Sequence, residues 1–299
     1  MIPKIIHYCW FGGNPLPDSA IKCINSWKKF FPDYTIKEWN ETNFDFNCNA
    51  YVREAYESKK WAFVSDYARF WILYHNGGIY FDTDVEVLKS FDDILDRGGF
   101  MGQEAFVTSD VKLLDKKDKD LDSSAVVNSG LDITVAPGLG IAVAPGVQLY
   151  KELLDLYDGL HFIKDGVIDI TTICVHTTNI LKRYGYDEKN ENIQNIAGIT
   201  IYPPDFFCPL NYKTGEILMT DNTHSIHWYG ATWSSDFDIK ISEKRRFYIE
   251  KYGEDKGQIY FKIATIPNRL RRAIDERGIW GTVLFIREKI NIYLKKKKV

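Results

Sequence analysis

The sequence predicts an α/β fold, because short apolar strands alternate with amphipathic helices along most of the chain. The protein has 299 residues, of which 45% are hydrophobic and 26% charged, as is typical of a globular protein with a sizeable core. At this length we expect one large domain over residues 1–240, followed by a basic, amphipathic helical region over residues 241–299. Sheets of this class bind ligands at the carboxyl ends of their strands, so polar residues there are candidates for a site.

The elements follow from the apolar pattern in chain order. Residues 2–10 are β-branched and aromatic and predict a strand, and the Gly and Pro residues after them separate it from a helix with apolar residues at helical spacing. The longest helical pattern, residues 61–76, is apolar on nearly all sides and ends at Gly77-Gly78, so we expect a buried helix there. Further strands are expected over residues 34–39, 79–81, 85–88, 139–144 and 199–203, and further helices over residues 48–58, 146–157 and 171–183.

The charge of the chain is unevenly distributed. The formal net charge is −3, but residues 269–299 contain ten Lys and Arg against three acidic residues, which leaves a net charge of −10 on the rest of the chain. An acidic body with a basic end excludes a protein that coats nucleic acid with its whole surface, and it favours attraction of that end to an anionic surface. Residues 108–124 are dense in both charge signs and predict a solvated loop.

The cysteine pattern and the hydropathy indicate a compartment. Five cysteines without CxxC spacing suggest neither a disulfide framework nor a zinc knuckle. The first residues are typical of a strand rather than of a signal peptide, and no segment reads as a membrane-spanning helix. We therefore expect a cytoplasmic protein with reduced thiols, whose basic end associates with the inner face of the plasma membrane.

Two carboxylates one residue apart, Asp82 and Asp84, follow the apolar strand at residues 79–81. Alternate residues of a strand point to the same face, so these side chains can converge on one divalent cation. A cation held by two carboxylates keeps open positions that a diphosphate can fill. A turn with two solvated aspartates would show the same triplet, so the motif alone leaves both interpretations open.

A charged pair interrupts the buried helix over residues 61–76. Asp66 and Arg69 are three residues apart and therefore share one face of that helix. Burial of such a pair requires partners or a ligand. One interpretation is an internal salt bridge. In the other, Asp66 accepts hydrogen bonds from sugar hydroxyls while Arg69 faces sugar or phosphate oxygens.

These motifs together resemble a known family. The segments IPKIIHYCWFGG near the start, SDYAR on the helix, GGIYFDTD and the late IHWYGATW are similar to the bacterial capsular-polysaccharide members of glycosyltransferase family 32. That family is related to the yeast initiating α-1,6-mannosyltransferase and to the clostridial glucosylating toxins. The resemblance covers roughly residues 1–235 and is most specific over residues 1–90. It implies a GT-A fold, the Rossmann-like fold of nucleotide-diphospho-sugar transferases, with residues 1–240 as the catalytic domain.

The resemblance also implies roles for individual residues. By position, Trp10 stacks on the nucleotide base, and Ser65, Asp66 and Arg69 hold the donor sugar. Asp82 and Asp84 serve the ribose and a Mn²⁺ or Mg²⁺ ion.

The late motif carries further implied roles. His227 is the expected third metal ligand, since Mn²⁺ accepts nitrogen, with a core histidine under the aromatic cluster as the alternative. Thr232 and Trp233 are expected to close over the donor diphosphate, although Thr232 stands where Ser is commoner in the family.

The implied activity is metal-dependent, retaining transfer of a hexose from a nucleoside diphosphate sugar to a growing capsular or surface polysaccharide. UDP-galactose or UDP-glucose is the favoured donor, and GDP-mannose is the alternative. The acceptor is expected to be lipid-linked or an oligosaccharide, with no nucleic acid partner. A non-catalytic glycan-binding module and a phosphoesterase are the competing functions. The basic end is expected to bind an anionic membrane peripherally or, alternatively, to pack on the core.

Other motifs fit less well. No GxGxxG, P-loop or GxSxG motif occurs, so a dinucleotide site, a P-loop and a serine hydrolase elbow are unsupported. We interpret Gly138-Leu139-Gly140 as a tight strand entry rather than as a backbone approach to a ligand. His7, His75 and His224 are expected to have structural roles.

Overall fold

The computed structural model describes residues 1–107, 131–164, 166–169, 171–211, 217–230, 244, 247–248, 251–267 and 278. The chain divides into two compact units, one of Met1–Tyr212 with Glu216–Trp233 and one of Lys213–Gly215 with Ser234–Val299. The boundary at residue 240 stays a prediction, and so does the loop over residues 108–124, because both lie outside the described residues.

The larger unit contains the alternating elements. The first are β1 (Ile5–Cys9), α1 (Asp18–Phe30), β2 (Thr35–Trp39), α2 (Ala50–Glu57), α3 (Trp61–Asn76), β3 (Gly78–Tyr80), β4 (Val85–Val87), α4 (Asp92–Leu95) and β5 (Gly99–Val107). They are followed by β6 (Leu131–Val135), β7 (Ile141–Val143), α5 (Gln148–Asp158), β8 (Ile163–Lys164), β9 (Val167–Ile168), α6 (Ile173–Arg183), β10 (Gln194–Ile196), β11 (Ile199–Tyr202), α7 (Pro204–Phe207) and β12 (Ser225–His227).

The central sheet has the strand order β10-β11-β5-β7-β3-β1-β2, and β6 pairs with β5. Strand β1 is parallel to both β2 and β3, and β11 is parallel to β5. Strand β7 is antiparallel to its neighbours β3 and β5. Strands β2, β1, β3, β5 and β11 therefore run in one direction, which makes the sheet mixed and mostly parallel. This topology confirms the predicted α/β fold.

Helices cover both faces of this sheet, because its side chains alternate between two cores. Ile6 and Ile79 pack on one face in a cluster that includes Trp27 of α1. Cys9 and Tyr80 point to the other face, in a cluster with residues of α2, α3, α5 and α6. The period-two pattern of each strand thus fixes which residues face α3 and which face α1.

The sheet positions the polar motifs at one edge. Because β1 and β3 are parallel neighbours, the residues that follow them, Trp10 and Asp82, emerge at the same end of the sheet. Strand β12 pairs antiparallel with β4 and places His227 opposite Val85. Val85 is the residue directly after the DXD triplet, Asp82-Thr83-Asp84. Residues distant in sequence therefore meet at the carboxyl ends of the central strands.

The smaller unit contains α8 (Glu254–Ala264), which begins after Gly253. Phe261 and Thr265 are buried, whereas the side chains of Tyr260, Ile263 and Ile266 are exposed. This part of the predicted C-terminal helical extension is confirmed as helix, and its continuation over residues 268–299 lies mostly outside the described residues. Among the helices described in either unit, none has the length and hydropathy needed to cross a bilayer.

Candidate functional site

A cavity of about 360 Å³ lies at the carboxyl ends of β1 and β3. Its walls come from the loop after β1, the first half of α3, the DXD turn, the segment before β7, the start of α6 and the segment after β12. The lining residues include the predicted site residues Trp10, Ser65, Asp66, Arg69, Asp82, Asp84 and His227. The structure therefore brings together every predicted site residue that it describes, while Thr232 and Trp233 lie outside the described residues.

The two DXD carboxylates converge through a turn. Strand β3 ends at Tyr80, and the backbone N–H of Val85 donates to the carbonyl oxygen of Asp82 over 3.1 Å. The expectation that the pleat of a strand aligns Asp82 with Asp84 is therefore wrong. The turn provides the convergence instead, because it folds the chain back toward β4.

Asp82 is held from three directions. Its Oδ1 lies 3.3 Å from Nη2 of Arg69 and accepts a hydrogen bond of 3.0 Å from the hydroxyl of Tyr80. A Cβ atom added to Gly138 would lie 2.3 Å from Oδ2 of Asp82, so the backbone of Gly138 forms the third wall. The predicted tight strand entry is observed, because the 3-10 turn Pro137–Leu139 leads directly into β7. Gly138 in this turn also closes over Asp82, and Gly140 packs against Phe81 at a φ of 129°.

Asp66 and Arg69 form the internal salt bridge that was one of the two interpretations, with 3.0 Å between Oδ1 and Nη2. The backbone N–H of Ile173, in the first turn of α6, also hydrogen bonds to Asp66. Burial raises the pKa of Asp66 to about 6, although the charge of Arg69 opposes this shift. Both side chains also line the cavity, so the salt bridge and a ligand-binding role are compatible.

Asp84 is surrounded by the segment after β12. Its Oδ1 lies 3.1 Å from Nε2 of His227, and its Oδ2 accepts a hydrogen bond of 2.8 Å from the backbone N–H of Gly230. Burial alone would raise the pKa of Asp84, but the charge and hydrogen bond of His227 outweigh it and hold the pKa below its usual range. Burial lowers the pKa of His227, yet Asp84 and its acidic neighbours raise it to about 9.

The donor set fits a divalent cation. One ligand atom each from Asp82, Asp84 and His227 lies within 4.8 Å of the others. Among the described residues that line the cavity, four carboxylates (Asp66, Asp82, Asp84 and Glu104) outnumber two basic groups (Arg69 and His227). Nδ1 of His227 is buried without a hydrogen-bond partner in the described part of the chain. Two oxygens and one imidazole suit Mn²⁺ well, whereas Mg²⁺ favours oxygen ligands.

Aromatic rings line the cavity beside the loop after β1. Nε1 of Trp10 donates to the carbonyl oxygen of Asn14 over 2.6 Å, which fixes the orientation of its ring. The Trp61 ring packs so closely on Gly12 that a Cβ atom there would lie 2.7 Å from it. The hydroxyl of Ser65 donates to the carbonyl oxygen of Trp61, so this hydroxyl proton is used within α3.

Residues 17–101 match the family described as a glycosyltransferase sugar-binding region containing a DXD motif. The matched segment is similar to a glycosyltransferase sugar-binding region. It contains Ser65, Asp66, Arg69, Asp82 and Asp84, whereas Trp10 and His227 lie outside it.

Two named proteins are similar to part of the chain. The chain is 28% identical over 111 residues to inositol phosphoceramide mannosyltransferase 1 of Schizosaccharomyces pombe, which is 33% of each chain. It is 30% identical over 102 residues to inositol phosphoceramide mannosyltransferase 3 of the same organism, which is 31% of this chain and 27% of that protein. The chain thus spans about a third of the length of the curated relatives it matches. The predicted resemblance to glycosyltransferase family 32 is confirmed.

Two solved structures are similar to part of this chain, and both carry glycosyltransferase names. One is the PaToxG glycosyltransferase, at 18% identity, a TM-score of 0.39 and coverage of 61% of this chain and 69% of that one. Another is a glycosyltransferase involved in the glycosylation of the major capsid of PBCV-1, at 10% identity and a TM-score of 0.39, over 81% of this chain and 98% of that one.

Two cavity residues outside residues 17–101, Glu104 and Tyr229, are not among the predicted site residues. Glu104 on β5 is 5% exposed and accepts a hydrogen bond from the hydroxyl of Tyr229. Burial raises the pKa of Glu104 above its usual range. The one signal in the sequence is an acidic residue three positions after the apolar stretch Gly99–Met101, where no strand was predicted.

Proposed function

We propose that this chain is a metal-dependent, retaining glycosyltransferase that moves a hexose from a nucleoside diphosphate sugar to a saccharide acceptor. The observation that carries the proposal is the meeting of two groups of residues in one cavity. Asp82, Asp84 and His227 form a set suited to a cation and a diphosphate, while the Asp66–Arg69 pair offers an acceptor and a donor suited to sugar hydroxyls. The Arg69 contact with Asp82 joins the two groups.

The residues of the chain divide the work of transfer. Asp82, Asp84 and His227 would hold the divalent cation, which stabilises the negative charge that develops on the leaving diphosphate. Arg69 provides a fixed positive charge with planar N–H donors. Because it is buried and water is excluded, its electrostatic interactions with oxygen atoms of a ligand are stronger than in solvent. Asp66 is held by Arg69 and by the Ile173 amide, so it is oriented before a sugar binds.

We propose the stereochemical course from the carboxylates that line the cavity. Glu104 is the described carboxylate of the lining that lies outside the Asp66, Asp82 and Asp84 cluster, and it is bonded to the Tyr229 hydroxyl. We therefore assign no nucleophile and favour same-face attack. The bond from the sugar C1 to the diphosphate oxygen breaks, the acceptor oxygen bonds to C1, and the acceptor proton passes to a diphosphate oxygen.

Two classes of donor are proposed, UDP-hexoses and GDP-mannose. The family resemblance favours UDP-galactose or UDP-glucose, with GDP-mannose as the alternative. The curated relatives carry mannosyltransferase names, which supports GDP-mannose at least equally. A screen of UDP-hexoses and GDP-mannose for metal-dependent release of sugar distinguishes these donors.

Calorimetry tests the proposed function directly. A transferase of this kind should bind UDP or GDP much more tightly when Mn²⁺ is present. A non-catalytic glycan-binding module would bind sugar without a nucleotide, and a phosphoesterase would release inorganic phosphate from the donor. Either result, together with no metal-dependent nucleotide binding, would contradict the proposal.

We also propose that the enzyme acts at an anionic membrane surface on a lipid-linked or oligosaccharide acceptor. Tyr260 and Ile263 of α8, with Ile266 just after its end, form an exposed apolar stripe, with exposed fractions of 45%, 59% and 57%. The sequence that follows, residues 269–299, contains ten basic residues. Apolar and basic side chains together favour binding to anionic lipid.

A further inference from the structure

The segment of residues 227–230, here the His227 segment, is tied to Asp84. The backbone N–H of Trp228 donates to the carbonyl oxygen of Asp84 over 2.9 Å, and the N–H of Gly230 donates to its carboxylate over 2.8 Å. Nε2 of His227 lies 3.1 Å from the other carboxylate oxygen. Bonds from both sides of Tyr229 thus converge on one aspartate, and the conformation of Tyr229 decides whether they form together.

Tyr229 adopts an unfavourable backbone conformation. Its φ is +49°, in the left-handed region where Cβ crowds the backbone of any residue except glycine. Such a conformation persists only when surrounding contacts fix it, and it often occurs at functional sites. The contacts that fix it must therefore come from the side chain of Tyr229 as well as from its neighbours.

The side chain of Tyr229 joins the His227 segment to β5. Its hydroxyl donates to Oε1 of Glu104, and Sγ of Cys208 lies 3.0 Å from the same hydroxyl oxygen. Its ring stands edge-on to the imidazole of His227, with 4.3 Å between the ring centroids and 75° between the planes. The Glu104 carboxylate thus fixes the ring that forms one wall of the His227 site.

We propose that Tyr229 and Glu104 are positioning residues for the metal-binding side of the site. Their hydrogen bond holds the left-handed turn that brings His227 and the Gly230 amide to Asp84. The inference rests on the proposed function, in which Asp84 and His227 hold a divalent cation. It follows that loss of the Tyr229 hydroxyl weakens metal binding although this hydroxyl is outside the donor set.

The test compares four variants by titration with Mn²⁺ alone, followed by electron paramagnetic resonance of the free ion. Tyr229→Phe should weaken Mn²⁺ binding by about 10- to 100-fold, as is usual when a partner of a metal ligand is lost. Glu104→Leu should do the same. Glu104→Gln keeps an oxygen acceptor and should stay within about threefold of the wild type. Tyr150→Phe is the matched control, because that hydroxyl is buried and has no partner among the described residues.

A second measurement needs no metal. Amide hydrogen exchange of Gly230 should be at least about tenfold faster in Tyr229→Phe, with the melting temperature close to that of Tyr150→Phe. Unchanged exchange with unchanged Mn²⁺ affinity would overturn the inference and leave the proposed function intact. A wild-type protein that binds no Mn²⁺ would overturn the proposed function instead, and Gly230 exchange would still decide whether the Tyr229 bond holds the segment.

Discussion

Nη2 of Arg69 lies 3.3 Å from Oδ1 of Asp82, and the two residues come from different elements, α3 and the turn after β3. The same guanidinium nitrogen lies 3.0 Å from Oδ1 of Asp66. One buried cation therefore compensates two carboxylates, and it connects the residues proposed for the sugar with those proposed for the metal. Substitutions in this network should separate chemical roles from structural ones.

Asp66→Asn should reduce the rate of sugar transfer by about 100-fold or more while affinity for free UDP or GDP changes little, as expected for a contact that serves the transition state. The amide keeps an oxygen acceptor for the Ile173 N–H, so the fold should persist. Transfer rates and nucleotide dissociation constants measured side by side check this. A lower melting temperature with a parallel loss of both quantities would show that the pair is purely structural.

Asp84→Asn should reduce transfer by roughly 10³-fold or more, because several kcal/mol of charge stabilisation at the diphosphate are lost with the metal site. Circular dichroism should show an unchanged fold. Asp155→Asn, which alters an exposed aspartate paired with Lys151, is the matched control and should transfer sugar normally. Near wild-type transfer by Asp84→Asn would refute the assignment of this carboxylate.

Trp10→Ala should weaken binding of the nucleotide by roughly 5- to 150-fold, because stacking on an aromatic ring contributes about 1–3 kcal/mol per base. Trp10→Phe retains an aromatic face and should lose much less. Tryptophan fluorescence quenching by UDP and GDP measures both variants. Equal affinity in the wild type and in Trp10→Ala would place the base elsewhere in the cavity.

His7 should make the stability of the protein depend on pH. Nε1 of Trp39 donates to Nδ1 of His7 over 3.1 Å, and Nε2 of His7 lies 3.0 Å from the carbonyl oxygen of Gly77. A single proton on Nε2 satisfies both contacts, whereas a second proton on Nδ1 would face the indole N–H. Burial lowers the pKa of His7 from 6.5 to about 4. The hydrogen bond with Gly77 partly opposes this shift, and the charge of Lys37 adds a smaller contribution to it.

The direction of this pH dependence follows from proton binding. Between pH 6.5 and 4 the unfolded chain binds the additional proton more readily, so this contribution is complete above pH 6.5 and is lost as the pH falls toward 4. The contribution to the free energy of unfolding is roughly 3 kcal/mol. Urea unfolding at several pH values should show a shallower decline for His7→Gln than for the wild type. Parallel curves for the two proteins would show that His7 does not titrate in this way.

Membrane association should depend on the exposed stripe of α8. The full chain should sediment with anionic liposomes at low salt and remain in solution at high salt, because screening weakens attraction between charges. Ile263→Glu should reduce sedimentation. Val167→Glu, at a position of the larger unit that is equally exposed at 59%, is the control and should not. Sedimentation that is absent, or equal in both variants, would rule out binding through this stripe.

Local sequence determined part of this fold unambiguously. Helix α3 has the predicted bounds, because an unbroken helical pattern ends at two glycines. Strand β5 was missed, because Gly102, Gln103 and Glu104 interrupt its apolar pattern and its pairing with β7 and β11 joins residues distant in sequence. Strand propensity alone does not contain that long-range pairing.

The site was predictable to a similar extent. Asp82 and Asp84 are recognisable from their spacing and from the resemblance to a family, and His227 from the resemblance alone. The turn that replaces the expected pleat, the left-handed Tyr229 and its bond to Glu104 depend on tertiary contacts. No local pattern indicates them, because the partners lie on β5 and after β12.

Gly138 illustrates how a functional group restricts the variation of its neighbours. A glycine at a positive φ resists substitution because of its own backbone, but neither Gly138 nor Gly159 has such a φ. At Gly159 the nearest atom to an added Cβ is 3.8 Å away, whereas at Gly138 it is Oδ2 of Asp82 at 2.3 Å. A side chain at position 138 is therefore excluded by the carboxylate at position 82 and not by the backbone conformation of position 138.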